Sequence, residues 1–127
     1  CEVALEETLK YVKTRKAFGK SLGSFQNTQF KLADAATEVA AARCFLDQVI
    51  LAFMRGDKVV VEASQAKLLC SELLKKTVDT CLQFFGGYGY MMEYPIARAF
   101  VDARVQSIYA GTSEIMRGII ASKGLGL

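Results

Sequence analysis

The sequence predicts an all-α protein, an up-down, four-helix-bundle-like arrangement of two long helices, one helix already under way at residue 1 and two shorter ones. Three observations predict it. Apolar residues recur at helical spacing along most of the chain. Residues 25–55 contain neither Gly nor Pro, and the whole chain has a single Pro. No segment alternates with the period of a strand for any useful length; Val59-Val60-Val61 is β-branched but sits inside a helical stripe.

The first helix carries an apolar stripe at Cys1, Leu5, Leu9 and Val12 and ends near Lys16. It starts with no initiator Met and no capping Ser, Thr, Asp or Asn, which reads as a chain cut inside a longer helix. Phe18-Gly19-Lys20-Ser21-Leu22-Gly23-Ser24 is a loop signal, with Ser24 a candidate cap for the next helix. Over 25–55 the expected buried face is Leu32, Ala36, Val39, Leu46, Ile50 and Phe53, broken by Arg43. A helix that long measures ~45 Å, against a radius of gyration of ~14 Å for a compact domain of this size, so the bundle is elongated.

Gly56-Asp57 marks a turn, with Asp57 a candidate N-cap for a second long helix over 58–85. Its stripe is Val59, Ala63, Ala66, Cys70, Leu73, Thr77, Cys81 and Phe84, and Gly86-Gly87 stops it. A glycine-rich aromatic loop follows. Pro95 suits the first turn of a short helix over 94–104. Residues 105–111 are expected to be irregular. Thr112 then caps a last helix, with Glu114 in its first turn, and residues 124–127 are expected to fray.

Composition excludes several classes of function. A charge of +3 is too slight to make nucleic acid the main partner. No apolar run reaches the ~20 residues of a membrane helix. There is no signal peptide and no basic tail, so the expected setting is intracellular. Histidine is absent, which removes His triads, His bases and most catalytic zinc sites. The four cysteines, Cys1, Cys44, Cys70 and Cys81, form no Cys-x-x-Cys pair, so no metal site is expected. Cys44, Cys70 and Cys81 read as buried reduced thiols.

Four places carry local chemistry, and each also has a purely structural reading. Arg15-Lys16-Ala17-Phe18-Gly19-Lys20 can hold a phosphate, or simply place cations at a helix C-terminus. Gln83-Phe84-Phe85-Gly86-Gly87-Tyr88-Gly89-Tyr90 can let backbone N–H groups approach an anion or a flat ring, or be a helix stop with aromatic packing. Asp102-Ala103-Arg104 reads as two charges that each pair with another helix. Ile108-Tyr109-Ala110-Gly111-Thr112-Ser113-Glu114 is either an ordinary N-cap or a hydrogen-bonding edge for a ligand.

In that order along the chain, the first motif with Phe25-Gln26, the second with Glu93-Tyr94-Pro95, and the last two with Ile115-Met116 resemble the acyl-CoA dehydrogenase family, in its C-terminal helical domain. The segment 1–20 is similar to the long-chain and isovaleryl-type branch. The resemblance implies residues 1–127 as one C-terminal domain of a larger protein that also has an N-terminal helical domain and a middle β domain. It implies FAD, an acyl-CoA substrate desaturated between Cα and Cβ, electron-transfer flavoprotein as partner, a homotetramer built as a dimer of dimers, and a bacterial cytoplasm or mitochondrial matrix setting. By resemblance Arg15, Phe18 and Gln26 meet the FAD of a neighbouring subunit, as do Gln83, Gly86 and Gly87. Thr112 and Glu114 touch the FAD of their own subunit, while Tyr109 and Gly111 flank the thioester.

One position departs from the pattern. Most members carry the catalytic Glu just before the Gly-Thr pair, and here that residue is Ala110. In the long-chain and isovaleryl-type branches the base comes from an earlier helix, so it is expected upstream of Cys1, with no catalytic residue inside this chain. The other readings are a catalytically silent relative, an oxidase or monooxygenase on the same scaffold, and a non-enzymatic helical assembly module.

Overall fold

The computed structural model describes all 127 residues. Five α-helices run in chain order: α1 (Glu2–Thr14), α2 (Gln26–Met54), α3 (Val60–Phe85), α4 (Pro95–Val105) and α5 (Ser113–Ile119). The chain is all-α apart from one small hairpin, β1 (Lys16–Ala17) with β2 (Lys20–Ser21), antiparallel with Lys16 opposite Ser21. Short 3₁₀ turns lie at Leu22–Ser24 and Gly86–Tyr90.

α3 is the central element and packs against all four other helices. Its inward residues include Thr77, Val78, Cys81 and Phe85, which meet Leu5 and Val12 of α1, Leu32 and Val39 of α2 and Ile96 of α4 in one core. Val12, Val78 and Cys81 are at most 1% exposed. Thr8 is buried in place of the expected Leu9, and its hydroxyl is satisfied by donating to the Ala4 carbonyl at 2.7 Å. Phe85 rather than Phe84 reaches the core, where it stacks on Tyr11 with ring centroids 4.1 Å apart.

The long helices form where expected, but the buried face of α2 is rotated. It consists of Leu32, Ala35, Val39, Ala42 and Val49, with Ile50 and Phe53 exposed at 45% and 68%. Cys44 falls on the outer face and is exposed, Cys70 is half-buried, and only Cys81 is fully buried.

The caps differ in instructive ways. Ser24 does not cap α2: its hydroxyl donates to the Ser21 carbonyl at 2.7 Å, and Phe25 stands at the N-cap. Asp57 does not cap α3, because its carboxylate pairs with Arg55 at 3.0 Å and the helix begins later, after Val59. Thr112 does cap α5, its Oγ1 accepting from the Ile115 N–H at 3.3 Å. Neither Asp102 nor Arg104 locks the bundle through another helix. Ala103 between them is the buried residue, and at about 100° per residue its neighbours swing outward. Arg104 donates instead to Ser107 Oγ at 3.0 Å. The C-terminal tail does not fray: Ile120–Leu125 continues α5 as a wider π turn, and Gly124 lies against Val61 of α3.

Candidate functional site

α3 presents a different chemical surface at each end. At its C-terminal end, Gly86 breaks the helix with a positive φ of 56° that glycine accepts without strain. A Cβ at Gly86 or Gly87 would meet nothing within 4 Å, so the backbone there is open to a ligand. α1 ends beside this turn. Arg15 leaves the helix in extended conformation and lays its guanidinium 5.5 Å from the centroid of the Tyr88 ring. Tyr88 stacks on Tyr94 at 5.1 Å, and Tyr94 meets Phe85 edge-on, so the platform under Arg15 is anchored in the core. Burial raises the Tyr11 phenol above its ordinary value and keeps it neutral.

Arg15 forms no ion pair. An unpaired planar cation over an aromatic ring, with open glycine backbone and the Gln83 amide in one groove, is a donor set suited to phosphate oxygens. The structure thus brings Arg15, Gln83, Gly86 and Gly87 together. Phe18 and Gln26 are not in that groove. Phe18 sits at the hairpin tip with φ 51°, followed by Gly19 at φ 80°, and is 96% exposed, its ring touching Phe25 edge-on. Gln26 opens α2 and is exposed.

The second surface lies toward the N-terminal end of α3, roughly 24 Å away along the axis from Gln83 to Lys67. A cavity of about 360 Å³ is lined by Lys67, Cys70 and Leu74 of α3 and by Gln106, Tyr109 and Ala110. Tyr109 and Ala110 belong to a tight turn in which Ala110 (φ 51°) and Gly111 (φ 93°) are both left-handed. Glycine suits position 111 because of that φ; an added Cβ would also displace the mobile methyl end of Met116, 2.5 Å away. The Tyr109 hydroxyl donates to Gln106 Oε1 at 2.6 Å. Burial pushes the Cys70 thiol up, so it is a neutral wall group. No carboxylate lines the cavity.

The turn leads into α5. Glu114 is exposed, and its carboxyl is held below the ordinary carboxylate range by its own backbone N–H and by the Thr112 hydroxyl. Three residues of these surfaces lie outside every motif of the sequence: Lys67, Glu72 and Gln106. Lys67 and Glu72 are charged positions on the flank of an apolar stripe, and their partners are about 40 residues away in the chain.

Residues 1–125 match the family described as acyl-CoA dehydrogenase, C-terminal domain. The chain is 48% identical over 121 residues to the long-chain specific acyl-CoA dehydrogenase, mitochondrial, of Mus musculus, covering 95% of this chain and 28% of that protein. It superposes on the crystal structure of acyl-CoA dehydrogenase from Geobacillus kaustophilus with a TM-score of 0.96 and 48% identity, over 99% of this chain and 33% of that one. An FAD complex of PigA gives a TM-score of 0.90 at 31% identity, over 98% of this chain and 32% of that one. The chain therefore spans about a third or less of the relatives it matches.

Proposed function

The chain belongs to the acyl-CoA dehydrogenase family, as a C-terminal domain, and from that premise we propose that it serves an FAD-dependent α,β-desaturation of an acyl-CoA thioester. It does so together with an N-terminal helical domain and a middle β domain of a longer protein. The observation that carries this reading is the pair of surfaces at opposite ends of α3: the unpaired Arg15 above an open glycine turn, and the strained Tyr109–Ala110–Gly111 turn beside a carboxylate-free cavity.

The first surface fits a pyrophosphate. Arg15 supplies a fork of N–H donors, Gly86 and Gly87 allow close approach, and Gln83 adds an amide. By the family resemblance, Arg15, Gln83, Gly86 and Gly87, with Phe18 and Gln26 outside their groove, serve the FAD of a neighbouring subunit. Thr112 and Glu114 serve that of their own. This division requires at least a dimer, and a dimer of dimers satisfies it. FAD, when bound, supplies the acceptor for the hydride that leaves Cβ.

The second surface takes the thioester. Tyr109 and Gly111 flank it, and the turn orients the chain so that both C–H bonds are aligned for removal. The proton that leaves Cα needs a carboxylate, and the Ala110 methyl group cannot accept it. Glu2 and Glu6 are exposed and paired with Arg43 and Lys10, away from the cavity, and Glu7 also pairs with Lys10. By the resemblance to the long-chain and isovaleryl-type branch, the base is a carboxylate outside residues 1–127. Electrons leave to electron-transfer flavoprotein, in the mitochondrial matrix or a bacterial cytoplasm. No helix here is long and apolar enough to cross a membrane.

The longer protein, incubated with a saturated acyl-CoA and an artificial electron acceptor, is expected to yield the 2-enoyl thioester, lighter by two hydrogen atoms. Product formed only with oxygen, together with hydrogen peroxide, would point to an oxidase. No product from a preparation that retains FAD would point to a silent relative or an assembly module.

A further inference from the structure

We infer that Lys67 and Glu72 of α3 are positioning residues that clamp the left-handed turn at Tyr109–Gly111 through its C-terminal end, at Gly111 and Ser113. This rests on the reading of that turn as the wall of the thioester site. The Lys67 ammonium donates to the Gly111 carbonyl, the residue with φ 93°. It is half-buried at the cavity wall and pairs with no carboxylate. Further along α3, Glu72 accepts from the Ser113 hydroxyl at 2.8 Å and is itself held by Lys75 at 2.8 Å and by Arg117 at 3.9 Å. Bonds from Lys75 and Ser113 keep the Glu72 carboxyl below the ordinary range, so it stays ionised as an acceptor.

The turn needs such a clamp. A non-glycine residue in the left-handed region, Ala110, disfavours it by about 1–2 kcal/mol. The local bonds hold the residues on either side, Tyr109 through its N–H to the Val105 carbonyl at 3.2 Å and its hydroxyl to Gln106, and the entry to α5 through the Thr112 cap and the Ser113 N–H to the Ser107 carbonyl at 3.1 Å; none of them touches Ala110 or Gly111. Lys67 alone reaches Gly111 from another element, and a hydrogen bond to a charged group is the stronger kind. Lys67 and Glu72 lie five residues apart on one helix, so α3 sets the distance between the two anchor points of the turn. A small displacement of the turn moves Tyr109 and Ala110 relative to the reacting carbons, where about 1 Å can change a rate roughly 100-fold.

The test uses the FAD-loaded longer protein as wild type, Lys67→Met and Lys67→Arg. Two readouts are taken: amide hydrogen exchange in residues 107–113, and the rate constant of anaerobic flavin reduction by a saturated acyl-CoA at varied concentration. Lys67→Met is expected to speed exchange about tenfold in that segment only and to slow reduction roughly 10- to 100-fold, with FAD content and half-saturating acyl-CoA near wild type. Lys67→Arg, which keeps charge and reach, is expected to restore much of both. Unchanged exchange in Lys67→Met overturns the clamp. Faster exchange with an unchanged reduction rate overturns its link to the chemistry. If wild type itself is not reduced, the desaturation reading fails and the clamp is judged on exchange alone. Should Lys67→Met not fold, Ser113→Ala removes the other anchor and is read in the same way.

Discussion

Gly89→Ala is expected to lower stability by about 2–3 kcal/mol and to empty the Arg15 groove of its ligand in the longer protein. Gly89 is buried in the 3₁₀ turn after α3. An added Cβ would stand 2.7 Å from the Leu82 carbonyl oxygen and 2.9 Å from Leu82 Cγ. The first of these is backbone in the last turn of α3, so relief requires the turn itself to move. That turn carries Tyr88, whose ring stacks on Tyr94 and underlies Arg15. Stability and ligand retention should therefore fall together. Gly87→Ala is the matched comparison, since a Cβ there meets nothing within 4 Å. Its thermal midpoint is expected to stay near wild type. Equal midpoints for the two variants would contradict the packing described for Gly89.

Arg15→Ala separates fold from function in the other direction. In the folded chain Arg15 contributes an exposed contact with Tyr88, of the kind that stabilises by about 0.5–1 kcal/mol. Against a pyrophosphate it contributes charge-assisted hydrogen bonds worth about 1.5–3 kcal/mol, or roughly 10- to 100-fold in affinity. The variant is expected to fold normally and to release FAD on gel filtration, with its dissociation constant raised by that factor. Arg15→Lys should recover only part, because an ammonium lacks the planar fork. Unchanged FAD affinity in Arg15→Ala would remove Arg15 from the binding surface.

The helices were legible because their signals are local. Residues 25–55 lack breakers, Gly86-Gly87 follows an apolar stripe, and Thr112 precedes a helix it caps. The phase of α2 is not legible, because apolar residues occur on more than one of its faces and the packing against α3 selects among them. Leu46, Ile50 and Phe53 satisfy helical spacing, yet Leu46 is only half-buried and Ile50 and Phe53 are exposed. The hairpin at 16–21 is not legible in the sequence, since two-residue strands carry no period and nothing about Phe18 announces a positive φ. Asp57 failed as a cap because Arg55, two residues away, competes for its carboxylate.

The candidate site divides in the same way. Arg15, Gly86 and Gly87 stand in recognisable motifs, and the fold brings them into one groove with Gln83. Ala110 was visible as a missing carboxylate, and its cavity has no acid to replace it. Lys67 was invisible, since its bond to Gly111 joins residues 44 apart in the chain. Only the packing of the turn against α3 creates that contact.

The most direct test of the desaturation account is anaerobic bleaching of the FAD-loaded longer protein by a series of saturated acyl-CoA thioesters. The account predicts loss of the oxidised flavin band with at least one chain length, despite Ala110, which places the proton acceptor outside residues 1–127. A protein that holds FAD and is bleached by no thioester in the series would contradict it.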